Sequence, residues 1–167
     1  ETGLDTRMEV AMEDVSLREI TEANHAEVEG LRVSPVQQHY VASVSQSFAD
    51  AAANPNARPW MRAVYSGPTA VGFVMIADGV SEEYPEYMGP YFLWRLLIDE
   101  KWQRQGIGRA ALDLVVDYVR TRPGASNLRT SVSPGSEGSP MGFYLAFGFT
   151  PTGQMYGDEA LLDLPLA

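Results

Sequence analysis

The sequence predicts one domain built on a mixed α/β sheet. Its 167 residues are enough for a single hydrophobic core. Apolar residues alternate in several short segments and recur with helical spacing in others. The resulting order, β-α-α-β-β-β-α-β-α-β-β, contains consecutive helices and consecutive strands and so disfavours a purely parallel, doubly wound sheet. We therefore expect about seven strands and four helices.

The first elements are a strand and two helices. Alternation over residues 15–20 predicts the strand, and Thr21 caps a helix over 22–32. Ser34 is followed by a proline at the first helical position and a glutamine at the third, which is the pattern of a capping box. We expect one continuous helix from there to about Ala53.

A hairpin and a central strand follow. Residues 61–65 and 70–77 predict two strands that turn at Ser66-Gly67-Pro68. Residues 78–90 form an acidic, aromatic loop, and the apolar run 92–98 predicts a buried strand.

The remaining elements begin with a long amphipathic helix. Its apolar positions, from Ile107 to Tyr118, indicate a half-buried helix that ends at Pro123-Gly124. The last predicted elements are a strand over 128–132, a short helix over 141–147 and two strands near 149–156 and 159–165.

Composition excludes several classes of function. The net charge of −10 disfavours nucleic acid as a partner, since phosphate backbones attract Lys and Arg. Apolar runs are too short to span a bilayer, so we expect no membrane partner. Without cysteine there is no disulfide, cysteine nucleophile or thiolate ligand, and with only His25 and His39 we expect no metal site.

The charge is unevenly distributed. Residues 93–130 hold seven basic and four acidic side chains, whereas the rest of the chain holds five basic and eighteen acidic ones. This asymmetry predicts an anionic ligand at the basic segment and a cationic ligand for the acidic remainder. The alternative is that the acidity serves only solubility.

The polar, acidic residues 1–14 are not a signal peptide by pattern. We expect an N-terminal extension, partly a remnant of cloning, ahead of one domain over 15–167. We expect a cytoplasmic protein, and the sequence leaves a homodimer open.

A glycine turn carries the clearest chemistry. Gly106-Ile107-Gly108 lies between the central strand and the long helix, where free backbone N–H groups and the helix dipole favour an anion. The turn formally fits the G-x-G-x-x-A dinucleotide fingerprint. That fold, however, needs an acidic residue after the next strand, and here Ser131-Val132-Ser133 stands there. A turn that serves only packing is the other alternative.

Two motifs in order carry a family resemblance. Gln103-Arg104-Gln105-Gly106-Ile107-Gly108 fits Q/R-x-x-G-x-G/A, and Tyr144-Leu145-Ala146-Phe147-Gly148-Phe149 follows about thirty residues later. Together they resemble the GNAT superfamily of acetyl-CoA-dependent N-acetyltransferases, over about residues 15–165. Leu93 to Asp99 resembles the strand of bacterial spermine/spermidine-type (diamine) acetyltransferases. The resemblance implies a single-domain GNAT fold.

The resemblance also implies a coenzyme site. The turn would cradle the CoA pyrophosphate, and the central strand would pair with the pantetheine arm. Many relatives carry an asparagine before the last helix, where this chain has serines. The coenzyme-binding residues implied are Leu96, Leu97, Ile98, Gln103, Arg104, Gln105, Gly106, Ile107, Gly108, Arg109 and Ser139.

Tyr144 is the implied general acid, because a phenol is protonated at neutral pH and can give its proton to the leaving thiolate. The alternative is a core aromatic residue. Relatives often have a glutamate base on the central strand, but this strand has none, so the base stays open. The amine-side candidates are His39, Tyr40, Glu82, Glu83, Glu86 and Trp94, although a solvated acidic loop is an equal alternative for the glutamates.

The expected activity is direct transfer of the acetyl group of acetyl-CoA to a primary amine of a small cationic, polyamine-like molecule. Direct attack in a ternary complex is the simplest route because no cysteine can carry the acyl group. The alternatives are acetylation of an aminoglycoside-type antibiotic or a protein amine, and a non-catalytic module that senses acyl-CoA.

Overall fold

A seven-stranded sheet forms the centre of the computed structural model, which describes residues 14–135 and 137–166. The strand order is β1-β2-β3-β4-β5-β7-β6. The strands are β1 Val15–Arg18, β2 Pro59–Ser66, β3 Thr69–Asp78, β4 Tyr91–Ile98, β5 Asn127–Val132, β6 Thr150–Tyr156 and β7 Glu159–Pro165. The described α-helices are α1 His25–Glu29, α2 Val44–Ala53, α3 Ile107–Arg120 and α4 Met141–Phe147. The predicted class, element order and element number are confirmed.

The sheet is antiparallel except where β4 lies beside β5. That parallel pairing consists of Phe92 with Arg129 and Leu93 with Thr130, although β4 continues to Ile98. The two strands therefore diverge after Leu93. At the same point Trp94 is an extra residue against β3, since Met75 faces Arg95 and Ile76 faces Leu93. Such a bulge bends a strand and increases its twist, which helps to open the gap between β4 and β5.

Apolar side chains cover both faces of the sheet. On one face, α3 and α4 contribute Ile107, Leu112 and Tyr144 to a core shared with β-strand residues. On the other face, α1 and α2 contribute Val28 and Val44 to a second core. The gap between β4 and β5 is therefore bordered by helices on both sides of the sheet.

The predicted helix over residues 34–53 is wrong in its first half. Gln37 does accept from the backbone N–H of Ser34 through its side chain, but only a 3₁₀ turn, Gln37–His39, forms there. The chain then leaves the helical path, and α2 begins after Ser43, whose Oγ accepts a hydrogen bond from the N–H of Gln46. Ser43-Val44-Ser45-Gln46 is a second capping signal. The interruption brings residues 39–42 to the cleft described below.

The first helix is also shorter than predicted, and it covers only His25–Glu29. The predicted extension over residues 1–14 lies outside the described residues, apart from Asp14. Among the helices of the described residues, none combines the length and the apolar character that a membrane crossing requires.

Candidate active site

A cleft of about 1100 Å³ opens where β4 and β5 diverge. Its walls come from the exposed edge of β4, the turn before α3, α4, the segment before α2, the loop before β4, and the β5–β7 region. Of the predicted site residues, the cleft brings together His39, Tyr40, Glu86, Trp94, Leu96, Leu97, Ile98, Gln103, Arg104, Gly106, Ile107, Gly108, Arg109, Ser139 and Tyr144. Gln105, Glu82 and Glu83 lie outside this lining.

The edge of β4 leaves main-chain groups unpaired along the cleft. Beyond Leu93 this edge has no pairing with β5. The side chains of Leu96 and Ile98 pack against one core and that of Leu97 is buried in the other. An extended ligand could therefore pair with the main chain here, as an added strand does.

The glycine turn exposes a series of backbone N–H groups. Arg104 and Gly106 have φ angles of 63° and 81°, and α3 begins directly afterwards. The N–H of Ala110 donates to the carbonyl of Gly106, so the preceding N–H groups of the first helical turn have no partner within the helix. Alternating backbone conformations and a helix start both favour anions. This arrangement suits a phosphate group.

Gly108 keeps this helix start accessible. A Cβ atom built there would lie 3.5 Å from Cε1 of Phe143 and 3.7 Å from Cγ1 of Ile98. Both neighbours line the cleft, and both distances are ordinary contacts. The protein itself could accept a side chain at Gly108, whereas a ligand that approaches the backbone could not.

Gln103 has a structural contact that the motif alone does not reveal. Its Nε2 donates to the carbonyl of Ile98 at 2.8 Å and to Oε1 of Gln37 at 2.7 Å. These bonds join the end of β4, the turn and the 3₁₀ turn before α2. The side chain of Gln103 therefore fixes the shape of the turn, and its motif position does not require contact with a ligand.

Five of the seven basic side chains in residues 93–130 form two groups, while Arg95 pairs with Asp50 and Lys101 is exposed outside the cleft lining. Arg120, Arg122 and Arg129 pair with Asp117, Asp78 and Asp163, respectively. Arg104 and Arg109 are exposed and line the cleft near the glycine turn. Only this second group is positioned to attract an anion to the turn.

Tyr144 lies at the floor of the cleft, with 7% of its surface exposed. Its ring packs edge-on against Phe143 and Phe149. Burial raises the pKa of its phenol above the ordinary value, so the hydroxyl stays protonated at neutral pH. Because Tyr144 lines the cleft, its hydroxyl is within reach of a ligand bound there.

Ser139 orders the loop before α4. Its Oγ donates to the carbonyl of Ser133 and accepts from the N–H of Met141. The same loop touches the segment before α2, because a Cβ atom at Gly135 would lie 2.7 Å from the hydroxyl of Tyr40. These two loops therefore meet beside the cleft.

The predicted amine-side residues differ in placement. Glu86 is exposed and lines the cleft, beside a loop held by the hydrogen bond from Tyr87 Oη to Asn54 Oδ1. Glu82 and Glu83 are exposed on the same loop, away from the lining. His39 is exposed and contacts Tyr40 edge-on. The loop therefore offers the cleft one carboxylate rather than three.

Arg95 lies on β4, the strand on which relatives often carry a glutamate as general base. Its Nη2 donates to Oδ2 of Asp50 at 2.6 Å, and its buried Nε has no partner among the described residues. Burial lowers the pKa of Arg95, and the neighbouring Asp50 opposes that shift. The pair with Asp50 largely neutralises this guanidinium within the cleft.

Sequence reasoning did not identify Glu159, which lines the cleft at the start of β7. Its Oε1 accepts a hydrogen bond from Oγ of Ser131 at 2.9 Å. The local signal was only a glutamate after the Gly157-Asp158 turn. Its importance depends on β7 lying between β5 and β6, which is a long-range property of the sheet.

Comparisons with known proteins agree with this geometry. The model of the acetyltransferase (GNAT) family matches residues 31–149. A search of curated proteins found no match. A search of solved structures found 245 similar chains.

A structure described as a GNAT-family acetyltransferase, from Desulfovibrio desulfuricans, is 20% identical, with 92% of this chain and 99% of that chain covered and a TM-score of 0.65. Arabidopsis thaliana Naa50, in complex with the bisubstrate analogue CoA-Ac-MVNAL, is 19% identical, with 90% and 98% covered and a TM-score of 0.60. A GNAT family acetyltransferase from Elizabethkingia anophelis with acetyl-CoA bound is 13% identical, with 91% and 98% covered and a TM-score of 0.60.

At these identities the structures establish likeness of fold, while the family model spans most of the chain. The divergence of β4 and β5, the glycine turn and the buried tyrosine lie within or beside the matched range. The chain therefore belongs to the acetyltransferase (GNAT) family, whose members are acetyl-CoA-dependent N-acetyltransferases.

Proposed function

We propose that the cleft binds acetyl-CoA along β4 and the turn before α3, and that the acetyl group passes to a primary amine on a small cationic molecule. The single observation that carries this proposal is a continuous cleft that contains free main-chain N–H groups at one end and a buried, protonated phenol beside it. The phosphate groups and the extended arm of the coenzyme would then lie along the same cleft as the proton donor.

The phosphate end relies on the backbone. The N–H groups from Ile107 to Arg109 would face the pyrophosphate, with Arg104 and Arg109 adding positive charge nearby. Gly108 fits this role because a side chain there would enter the space between Ile98 and Phe143. The unpaired edge of β4 would hold the pantetheine arm through main-chain hydrogen bonds.

Acetyl-CoA supplies a thioester whose acetyl carbon is open to attack by an amine. The protein's contribution is to hold the amine against that carbon. This orientation can lower the activation free energy substantially, because the two reactants no longer have to find each other in solution. Tyr144 would donate its proton to the sulfur as the carbon–sulfur bond breaks. Its raised pKa keeps that proton in place until the thiolate forms.

The acceptor end supports a cationic amine through charge and aromatic surface. Glu86, Tyr40 and Trp94 line this end, and Asp50 neutralises the one guanidinium there. The chain as a whole carries a net charge of −10, which favours the approach of a cation. A polyamine is the simplest molecule with these properties.

The test combines binding and turnover. Calorimetry with CoA should show binding, and a thiol-release assay with acetyl-CoA should show turnover of spermidine in preference to kanamycin or a short peptide with a free N-terminus. Preference for the peptide would assign the activity to protein amines. Coenzyme binding without turnover of any of the three would contradict the enzyme role and favour an acyl-CoA sensor.

A further inference from the structure

Glu159 is a half-buried carboxylate in the lining of the cleft. The incoming amine is an ammonium ion at neutral pH, with a pKa of about 10.4 for a lysine-like group, and it must lose a proton before it attacks. Just beyond the divergence β4 carries Trp94 and Arg95, and neither side chain can take that proton. Glu86 is exposed on a loop, whereas Glu159 is half-buried on the sheet.

The strand register places Glu159 beside the divergence of the sheet. Ser131 lies opposite Leu161, so Glu159, two residues earlier on β7, faces the same side of the sheet as Ser131. Ser131 directly follows Thr130, the last residue of β5 that pairs with β4. The hydrogen bond of 2.9 Å from Ser131 Oγ then holds the carboxylate at this position.

The surroundings leave the charge of Glu159 available. Arg95 is close enough that Glu159 helps to raise its pKa, yet the guanidinium hydrogen-bonds to Asp50 instead. Within residues 14–135 and 137–166, no basic side chain forms a salt bridge with Glu159. One carboxylate oxygen is engaged by a neutral hydroxyl, and the other can accept from a ligand.

We infer that Glu159, positioned by Ser131, binds the substrate's ammonium group and accepts a proton from it; this inference rests on the proposed function. The freed nitrogen lone pair forms the new carbon–nitrogen bond at the acetyl carbon. The carbon–sulfur bond breaks, its electron pair leaves on sulfur, and Tyr144 protonates the thiolate. The second proton lost by nitrogen restores the phenol of Tyr144, and Glu159 releases the first proton to water.

Other ionisable groups share the cleft with Glu159 and must be considered in a pH experiment. They are Arg95 on β4, Tyr144 on α4, Tyr156 on β6, Arg104 and Arg109 near the glycine turn, and His39, Tyr40, Glu86 and Tyr87 on the two loops, with Asp50 on α2 paired to Arg95. Measurements from pH 7.5 to 9.5 lie above the ordinary pKa of histidine and of the carboxylates. The other groups are the same in the wild type and the variant, so the ratio of the two activities isolates the effect of Glu159.

The decisive variant is Glu159→Gln, which keeps an oxygen for Ser131 and removes the charge. We expect kcat/KM for spermidine to fall about 100-fold at pH 7.5, within the usual range for a lost acid–base group. The ratio of wild type to variant should shrink toward about tenfold at pH 9.5, because more of the amine is then already deprotonated. CoA affinity and the melting temperature should stay unchanged.

Two further variants make the result specific. Asp158→Asn changes an exposed carboxylate one residue away, outside the cleft lining, and should match the wild type. Ser131→Ala should lower kcat/KM by about two- to tenfold, since it removes a hydrogen bond worth about 1 kcal/mol. This variant tests the role of Glu159 even if Glu159→Gln fails to fold.

Turnover by Glu159→Gln within twofold of the wild type, or a ratio that does not change with pH, would overturn the role of Glu159 alone. Absence of turnover by the wild type with spermidine, kanamycin and the peptide would instead contradict the proposed function, and the role of Glu159 with it. Normal activity of Ser131→Ala would contradict the positioning role of that hydroxyl.

Discussion

The two ends of the cleft are built in different ways. The end that we propose for the coenzyme consists of main-chain groups from one continuous stretch, the end of β4 and the turn into α3. The end that we propose for the acceptor consists of side chains from segments far apart in sequence, such as Tyr40, Glu86 and Glu159. A backbone site suits a ligand that every member of the family shares, whereas a side-chain site can change its substrate without changing the fold.

This contrast can be tested first at Tyr144, the proton donor that we propose between the two ends. Tyr144→Phe removes only a hydroxyl, and we expect kcat to fall by about 100-fold or more, because the thiolate would leave without a proton. The affinity for CoA should not change. Steady-state kinetics and calorimetry measure the two quantities. An unchanged kcat would exclude Tyr144 as the general acid and leave it as a core aromatic residue.

The coenzyme end can be broken at Gly108. We expect Gly108→Val to weaken CoA binding at least about tenfold, equivalent to about 1.4 kcal/mol, because the side chain would block access to the N–H groups of α3. The fold should persist, since a Cβ atom at this position meets Phe143 and Ile98 at ordinary contact distances.

Gly142→Ala is the matched control for Gly108→Val. It adds a methyl group to α4, where nothing lies within 4 Å, and CoA binding should be unaffected. Gly106 is a poorer test site, since its φ of 81° makes any substitution strained. Normal CoA binding by Gly108→Val would move the phosphate site elsewhere.

At the acceptor end, the acidic loop can be dissected by position. Neutralising Glu82, Glu83 and Glu86 together should raise KM for spermidine about two- to fivefold, with KM for acetyl-CoA unchanged. Glu86→Gln alone should reproduce that effect, because it is the one of the three that lines the cleft. If Glu82→Gln and Glu83→Gln together have the larger effect, the amine enters by another route.

A change outside both ends should affect stability alone. Asp163 accepts hydrogen bonds from Arg129 at 2.7 and 3.0 Å, and these lower the pKa of its carboxyl. A carboxylate with a lowered pKa stabilises the fold above its unfolded pKa and loses that contribution as the pH falls through the folded value.

Asp163→Asn should therefore lower the free energy of unfolding by about 0.5–1 kcal/mol at pH 7. The difference from the wild type should shrink below about pH 4. Urea unfolding at several pH values measures this, and kcat/KM should not change. A difference that is constant with pH would mean that the charge of Asp163 is not the cause.

The same contrast explains how much the sequence could predict. The positions of the glycine turn, β4 and the helix that carries Tyr144 could be predicted from local patterns, because each pattern lies in adjacent residues. The start of α2 after Ser43 was not predicted. The capping pattern at Ser34 favoured one continuous helix, although Ser43 begins a second capping pattern. Glu159 could not be found locally, because it reaches the cleft only through the insertion of β7 beside β5.

The central claim is that main-chain N–H groups at the start of α3 hold the diphosphate of the coenzyme. Nuclear magnetic resonance of the ¹⁵N-labelled protein, titrated with CoA, tests it residue by residue. We expect the largest changes in amide chemical shift at Ile107, Gly108 and Arg109, with smaller changes along β4 at Leu96–Ile98. Saturable binding that leaves these amides unshifted, with the changes at another surface, would contradict it.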